Sequence, residues 1–120
     1  MPLKKMSKTA FTRPMPQKDR PNVLPLEGEI DLHVSPEVAE ELRAMVEKKP
    51  KVLVVDLGKV TYLDSSGLAV LIEAMQNVQA YGGKFAVAQV QESVQHIFEI
   101  ARLDQVFRIF PDVDSALAAK

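Results

Sequence analysis

Cysteine is absent from this sequence, and histidine occurs only twice. Without cysteine, the chain can form no disulfide, perform no thiolate chemistry and offer no sulfur ligand to zinc. The two histidines, His33 and His96, fall in separate predicted elements, and neither has a second histidine at metal-ligand spacing. We therefore predict no metal site and no cofactor.

Long hydrophobic runs are also lacking. The longest uninterrupted apolar stretches lie in KVLVV and LAVLI, and both are far shorter than the roughly 20 residues of a membrane-spanning helix. The N-terminal residues carry cations but no apolar core of a secretory signal. With 120 residues, the chain is long enough for one stable domain. These features predict a single-domain cytoplasmic protein that does not insert into a membrane.

Negative charge is scarce in the first 20 residues, which carry six lysines and arginines but only one carboxylate, Asp19. Because the net charge of the whole chain is −1, the remaining residues carry a net charge of −6. A body of that sign repels phosphate backbones, and we expect no direct binding of nucleic acid. Five of the eight prolines lie in residues 2–25. They predict a flexible, basic, proline-rich arm over residues 1–21 and a folded domain over residues 22–120.

Short apolar runs alternate with segments of helical periodicity along the rest of the chain. Strands are predicted at residues 23–30, 52–57, 84–90 and 106–110. A helix is predicted after each strand, beginning near residues 35, 64, 93 and 112. This alternation predicts an α/β fold with a mostly parallel or mixed sheet of about four to five strands and about four helices.

Local signals set the expected ends of these elements. Ser35 is predicted to cap the first helix, with Pro36 at its first helical position. The run VLVVDL is predicted to be a buried central strand that ends before a turn at Gly58-Lys59. Gly82-Gly83 is predicted to end the second helix in a left-handed cap. Pro25 restricts the first strand to a sheet edge or a bulge, because proline cannot donate a ladder hydrogen bond.

The tetrapeptide Asp64-Ser65-Ser66-Gly67 stands where the second strand passes into the second helix. Aspartate and serine both favour helix N-caps, which is one sufficient explanation of the segment. A nucleophilic serine is the enzymatic alternative, but the elbow motif G-x-S-x-G is absent, and His33 or His96 would be the only possible base. No glycine-rich phosphate-binding motif occurs either. We predict that the chain is not an enzyme.

The order of these elements and the D-S-S-G-L turn at residues 64–68 resemble the STAS domain of bacterial anti-sigma factor antagonists. The segment LEGEIDLHVSPEV is similar to the G-E-[LI]-D segment that precedes the first helix in that family. The resemblance covers about residues 24–118 and implies a single STAS-like α/β domain. It departs from the family at the N-terminus, where a proline-rich basic arm replaces a β-hairpin.

The resemblance implies a regulatory switch. Ser65 matches the serine that a partner phosphorylates, the partner being an anti-sigma factor that is also a serine kinase. The unphosphorylated protein would bind this anti-sigma factor and free a sigma factor, phosphorylation would break the complex, and a PP2C-type phosphatase would reset it. The other matching positions, which border the site or contact the kinase, are Asp31, Asp64, Ser66, Gly67 and Leu68.

Two further expectations concern this switch. Free backbone amides at the helix N-terminus should stabilise a phosphate on Ser65 by up to about 1 kcal/mol, so phosphorylation should not unfold the domain. A second interpretation stays open, in which a STAS module binds its partner without switching. It would then be an accessory subunit of a lipid ABC transporter or part of a stress-signalling scaffold.

Overall fold

The computed structural model describes residues 14–119 and contains four strands and four α-helices in alternation. The strands are β1 (Val23–Ile30), β2 (Val52–Leu63), β3 (Lys84–Ala88) and β4 (Arg108–Phe110). The helices are α1 (Ser35–Glu47), α2 (Ser65–Ala80), α3 (Glu92–Ile100) and α4 (Val113–Ala118), and a 3₁₀ turn at Leu103–Gln105 precedes β4. The predicted α/β alternation is confirmed. No helix in this range is both long and apolar enough to cross a bilayer.

All four strands run parallel in a sheet of order β1-β2-β3-β4. The run predicted as the central strand lies in β2, where Leu53, Val54 and Val55 are fully buried. Successive side chains of a strand point to opposite faces, and both faces of this sheet are covered. Helices α1, α2 and α3 pack on the face that includes Leu53 and Val55, whereas α4 packs on the face that includes Val54.

Strand β2 continues well beyond its predicted end. The expected turn at Gly58-Lys59 is wrong, because both residues lie inside the strand. The pairing of β1 with β2 shifts register between Pro25 and Glu27 and again after Gly28, so extra residues of β2 are accommodated as bulges. The Asp56 carboxylate also accepts a hydrogen bond from the Gly58 amide at 2.9 Å. This lengthening carries the end of β2 to the first residues of α2.

The end of α2 and the start of α4 follow the sequence signals, but the start of α1 does not. Asp112 caps α4 by accepting a 2.7 Å hydrogen bond from the Ser115 amide, and Gly82 ends α2 with a φ of +86°. Ser35 is not the cap of α1. Val34 holds that position, while Ser35 is the first helical residue, is buried, and donates its amide hydrogen to the Asp31 carbonyl. The amides of Glu37 and Val38, which a capping Ser35 hydroxyl would have engaged, bond to the Val34 carbonyl instead, and Pro36 is the second helical residue, not the first.

The later elements begin or end a few residues away from their predicted positions. Strand β3 ends at Ala88 because Gln89 adopts a φ of +60°. Helix α3 begins at Glu92 instead of after Ser93. The last strand lacks the first two residues of the predicted 106–110, because the amides of Val106 and Phe107 bond to the Leu103 carbonyl of the 3₁₀ turn.

The predicted arm falls mainly on residues 1–13, which lie outside the described residues. Within residues 14–21, Pro14 is buried, and the Gln17 amide donates to the Val23 carbonyl at 3.0 Å. Arg20 donates to the Asp114 carboxylate of α4 at 2.6 Å. The domain boundary at residue 22 stays a prediction.

The aromatic contact between α3 and the segment before β4 should be a main source of stability. Phe98 is fully buried, and its ring meets that of Phe107 edge-on with centroids 5.3 Å apart. We expect Phe98→Ala to lower the free energy of unfolding by about 3–5 kcal/mol, measured by urea denaturation. Ile100→Ala, on the same helix but 72% exposed, is the control and should change it by about 0.5 kcal/mol or less. Equal losses in the two variants would contradict this packing.

Candidate functional site

The candidate site lies at the edge of the sheet where β1 and β2 end. Since neighbouring strands are parallel, the residues that follow them meet at this edge. The Asp64 amide donates to the Ile30 carbonyl at 3.2 Å, which joins the start of α2 to the end of β1. Residues that are 34 positions apart in sequence are thereby brought into contact. Asp31 and the tetrapeptide 64–67 belong to one surface, as the family resemblance implies.

The Asp64 carboxylate is the centre of the hydrogen bonds at this surface. Its Oδ1 atom accepts from the Ser66 amide at 2.9 Å, the Gly67 amide at 3.0 Å and the Ser66 hydroxyl at 2.6 Å. Its Oδ2 atom accepts from the Leu32 amide at 3.1 Å. One side chain therefore caps α2 and holds the loop between β1 and α1 against it.

The two serine hydroxyls of the tetrapeptide have different environments. Ser66 is half-buried, and its hydroxyl is engaged by Asp64 at 2.6 Å. Ser65 is exposed, and its hydroxyl has no hydrogen-bond partner among residues 14–119. The oxygen of Ser65 is consequently open to an incoming protein, whereas the oxygen of Ser66 is held within the site.

The hydrogen bonds of the Asp64 cap determine the charge of this carboxylate and which amides at the start of α2 are free. The hydrogen bond from the Ser66 hydroxyl, followed by those from the backbone amides, lowers the pKa of Asp64 below its ordinary value. The carboxylate is therefore charged at neutral pH and occupies the amides of Ser66 and Gly67. The expectation that these amides are free to stabilise a phosphate on Ser65 is wrong, because Asp64 already fills that place.

Gly67 is required by the close approach of α2 to β1. A Cβ atom at this position would lie 2.7 Å from the Ile30 carbonyl oxygen and 3.0 Å from a Leu63 methyl group. The carbonyl of Ile30 is the same group that accepts the Asp64 amide. Gly67 thus serves packing at the site and is itself buried.

The remaining predicted residues take supporting positions. The Asp31 side chain is half-buried and accepts the His33 amide at 2.9 Å, so it shapes the loop after β1. Leu68 is partly buried against the main core, so only part of its side chain is available to a partner. His33 and His96 are exposed, and no three acidic or histidine side chains within the described range could hold a metal ion.

Sequence reasoning missed two exposed hydrophobic residues beside the tetrapeptide. Leu32 is 69% exposed and Tyr62 is 45% exposed. Leu32 follows the last residue of β1 by two positions, and Tyr62 pairs with Glu29 near the end of β2. The signal in the sequence was a large apolar residue in a loop, between Asp31 and His33, where polar residues are usual.

Comparison with known proteins identifies related chains. A family model for the STAS domain matches residues 12–116. An anti-sigma-B factor antagonist of Listeria monocytogenes is 32% identical over 82 residues, covering 68% of this chain and 72% of that protein. An anti-sigma-F factor antagonist of Mycobacterium tuberculosis is 32% identical over 95 residues, covering 79% of this chain and 77% of that protein. An anti-sigma factor antagonist structure from Mycobacterium paratuberculosis has a TM-score of 0.72 at 30% identity, covering 79% of this chain and 80% of that one.

Gly67→Ala should destabilise the domain although alanine favours helices more than glycine does. The added Cβ would collide with the Ile30 carbonyl, and we expect a loss of about 1–3 kcal/mol in the free energy of unfolding. Gln76→Ala, at an exposed position of α2, is the control and should have little effect. A Gly67→Ala variant as stable as the wild type would show that the approach of α2 to β1 is not tight.

The Asp64 cap should make stability dependent on pH. Because folding lowers the pKa of Asp64, its contribution is complete above the ordinary pKa of about 3.9 and is lost as the pH falls through the lowered folded value. Asp64→Asn should therefore reduce the melting temperature at pH 7, with the difference from wild type shrinking in acid.

The pKa of Asp64 can be followed directly by NMR titration of its carboxyl carbon. Ser66→Ala removes the largest cause of the shift and should raise this pKa towards its ordinary value without abolishing the shift. An unchanged pKa in Ser66→Ala would contradict the role assigned to the hydroxyl.

Proposed function

Since the chain belongs to the STAS domain family, we propose that it is an anti-sigma factor antagonist controlled by phosphorylation of Ser65. Relatives that are 32% identical carry the name of anti-sigma factor antagonist. The observation that carries the choice of acceptor is the contrast between two adjacent hydroxyls. That of Ser65 is exposed and has no hydrogen-bond partner among residues 14–119, whereas that of Ser66 is bonded to Asp64. The unmodified protein binds an anti-sigma factor that is also a serine kinase, and a sigma factor is thereby released.

The position of Ser65 suits phosphoryl transfer. Such a reaction depends mainly on placing the attacking oxygen in line with the phosphorus. The Ser65 oxygen belongs to the first residue of a 16-residue helix and can enter a cleft without breaking a hydrogen bond to any residue that the structure describes. The Ser66 oxygen would first have to leave the Asp64 carboxylate, and the cap of α2 would be weakened.

The chemical cycle consists of one transfer and one hydrolysis. The Ser65 oxygen attacks the γ-phosphorus of ATP held by the kinase. A new O–P bond forms as the bond to ADP breaks, and the hydroxyl proton passes to a base of the kinase. A PP2C-type phosphatase then hydrolyses the phosphoserine, with water supplying the oxygen of inorganic phosphate and restoring the hydroxyl. In this cycle the chain is the substrate of two enzymes and has no catalytic role of its own.

The Asp64 carboxylate supports the switching effect of the phosphate. A phosphate adds about −1.5 to −2 charges near neutral pH, and on Ser65 it stands next to a residue whose carboxylate already occupies the amides of Ser66 and Gly67. The amides of Ser66 and Gly67 are therefore not available to the new charge, and burying it under a partner is costly. A cost of about 3–4 kcal/mol would weaken the complex by two to three orders of magnitude, since about 1.4 kcal/mol corresponds to tenfold.

The surrounding residues have distinct parts in this proposal. Asp31 and Asp64 border the acceptor and set the local negative charge. Ser66 fixes the Asp64 carboxylate, and Gly67 allows α2 to approach β1. Leu68, half-buried on the first turn of α2, extends the surface that the partner covers.

Phosphate should appear on Ser65 and not on Ser66. Each histidine-kinase-like anti-sigma factor encoded in the same genome would be purified, incubated with this protein and Mg-ATP, and the product analysed by mass spectrometry. One of these kinases should modify the wild type and Ser66→Ala but not Ser65→Ala. With that kinase, Ser65→Ala should bind as tightly as the unmodified protein, and Ser65→Asp should bind at least tenfold more weakly. Phosphate on Ser66 alone would refute the choice of acceptor, and the absence of both modification and binding would refute the function.

A further inference from the structure

Two exposed hydrophobic residues lie close to the acceptor serine, one through a hydrogen bond to the preceding residue and one through the chain itself. Leu32, 69% exposed, is held in place by the hydrogen bond between its amide and Asp64, the residue directly before Ser65. Tyr62, 45% exposed, is three residues before Ser65 at the end of β2. A chain of three residues spans at most about 11 Å. Both side chains therefore start close to the hydroxyl that the kinase must reach.

The fold does not need these two side chains. Neither Leu32 nor Tyr62 belongs to the hydrophobic clusters that form the core or pack against it. The loop after β1 uses only the backbone amide of Leu32, which any residue except proline would supply. A leucine exposed to 69% in a short loop instead keeps apolar surface in contact with water. Single exposed hydrophobic residues are common, but two of them beside a modification site indicate an interaction surface.

The size of a stable interface brings both residues within reach of a partner centred on Ser65. A standard protein complex buries about 800 Å² on each partner, which corresponds to a patch of about 16 Å radius. A patch of that size centred on Ser65 contains Asp64 and the residues bonded to it, and therefore Leu32. It also contains Tyr62, because the chain length limits its distance from Ser65.

We propose that Leu32 and Tyr62 are the apolar anchors by which the unmodified protein holds the anti-sigma factor, an inference that rests on the proposed function. The occupant is the kinase itself, through an apolar recess beside its catalytic cleft. Binding energy in interfaces is concentrated in a few large apolar or aromatic side chains surrounded by a polar rim. Leu32 and Tyr62 are the large apolar or aromatic side chains. Glu29, which pairs with Tyr62, and Asp31 form part of the polar rim.

Sequestration favours the kinase over the phosphatase as occupant. An antagonist must keep its partner bound while no phosphate is present, so the contacts must act on the unmodified protein. Buried apolar side chains fulfil this condition because they lower the rate of dissociation. A phosphatase can recognise the phosphate directly and needs no lasting complex. We therefore assign Leu32 and Tyr62 to the complex with the kinase, which has to persist.

The test compares the affinities of three variants for the anti-sigma factor that binds the wild type. Leu32→Ala and Tyr62→Thr each remove an anchor, threonine being chosen because it is favoured in strands. Val106→Ala is the matched control, since Val106 is 48% exposed and lies two residues before β4. Arg108 at the start of β4 pairs with Ala86, which pairs with Val54, so Val106 lies near the start of β2, about 30 Å from the end of β2 beside Ser65.

We expect isothermal titration calorimetry to show at least a tenfold increase in Kd for Leu32→Ala and for Tyr62→Thr, and no change for Val106→Ala. Melting temperatures equal to that of the wild type would establish that the variants are folded. If both anchor variants bind with wild-type affinity while Ser65 of the wild type is still phosphorylated, this result would refute the role of Leu32 and Tyr62 as anchors and leave the proposed function intact. Slower dephosphorylation with unchanged Kd would overturn them as well, because the surface would then belong to the phosphatase. A wild type that binds none of the anti-sigma factors would refute both.

Discussion

The carboxylate of Asp64 is the group on which the arrangement of the site depends. It closes the first turn of α2 through two backbone amides and one hydroxyl, and it holds the loop after β1 through the Leu32 amide. These contacts join two strand ends that are distant in sequence. Because the carboxylate is an ion with several short donors, its hydrogen bonds are stronger than those between neutral groups. The geometry around Ser65 is therefore fixed before any partner arrives.

The same carboxylate separates the roles of two chemically identical side chains. It engages the hydroxyl of Ser66 and has no hydrogen bond to the hydroxyl of Ser65. It also occupies the helix amides that an added phosphate would otherwise use. Under the proposed function, this one carboxylate leaves the Ser65 hydroxyl available to a kinase and makes the phosphate on Ser65 costly to bury. In the proposed switch, the contacts of the Asp64 carboxylate both stabilise the fold and make the complex with the kinase sensitive to phosphorylation of Ser65.

The sheet provides the frame that makes this contact possible. Strand β2 lengthens through two shifts of register against β1, and its last residue then lies beside the last residue of β1. Gly67 lets α2 begin at that point without a collision with the Ile30 carbonyl. The core behind the site is formed by residues such as Leu53, Val55 and Phe98, all fully buried. The site itself is consequently assembled from rigid strand ends and a helix terminus.

The sequence alone determined the α/β alternation, the cap at Asp112, the stop at Gly82 and the position of the tetrapeptide, because each depends on local periodicity or on one residue's backbone preference. Only the tertiary structure decided which serine hydroxyl is engaged and that Leu32 lies beside Asp64. It also decided that β2 passes through Gly58 and that Val34, not Ser35, caps α1, its carbonyl accepting the amides of Glu37 and Val38. These features arise from hydrogen bonds and packing between segments far apart in the chain, which leave no local pattern to recognise.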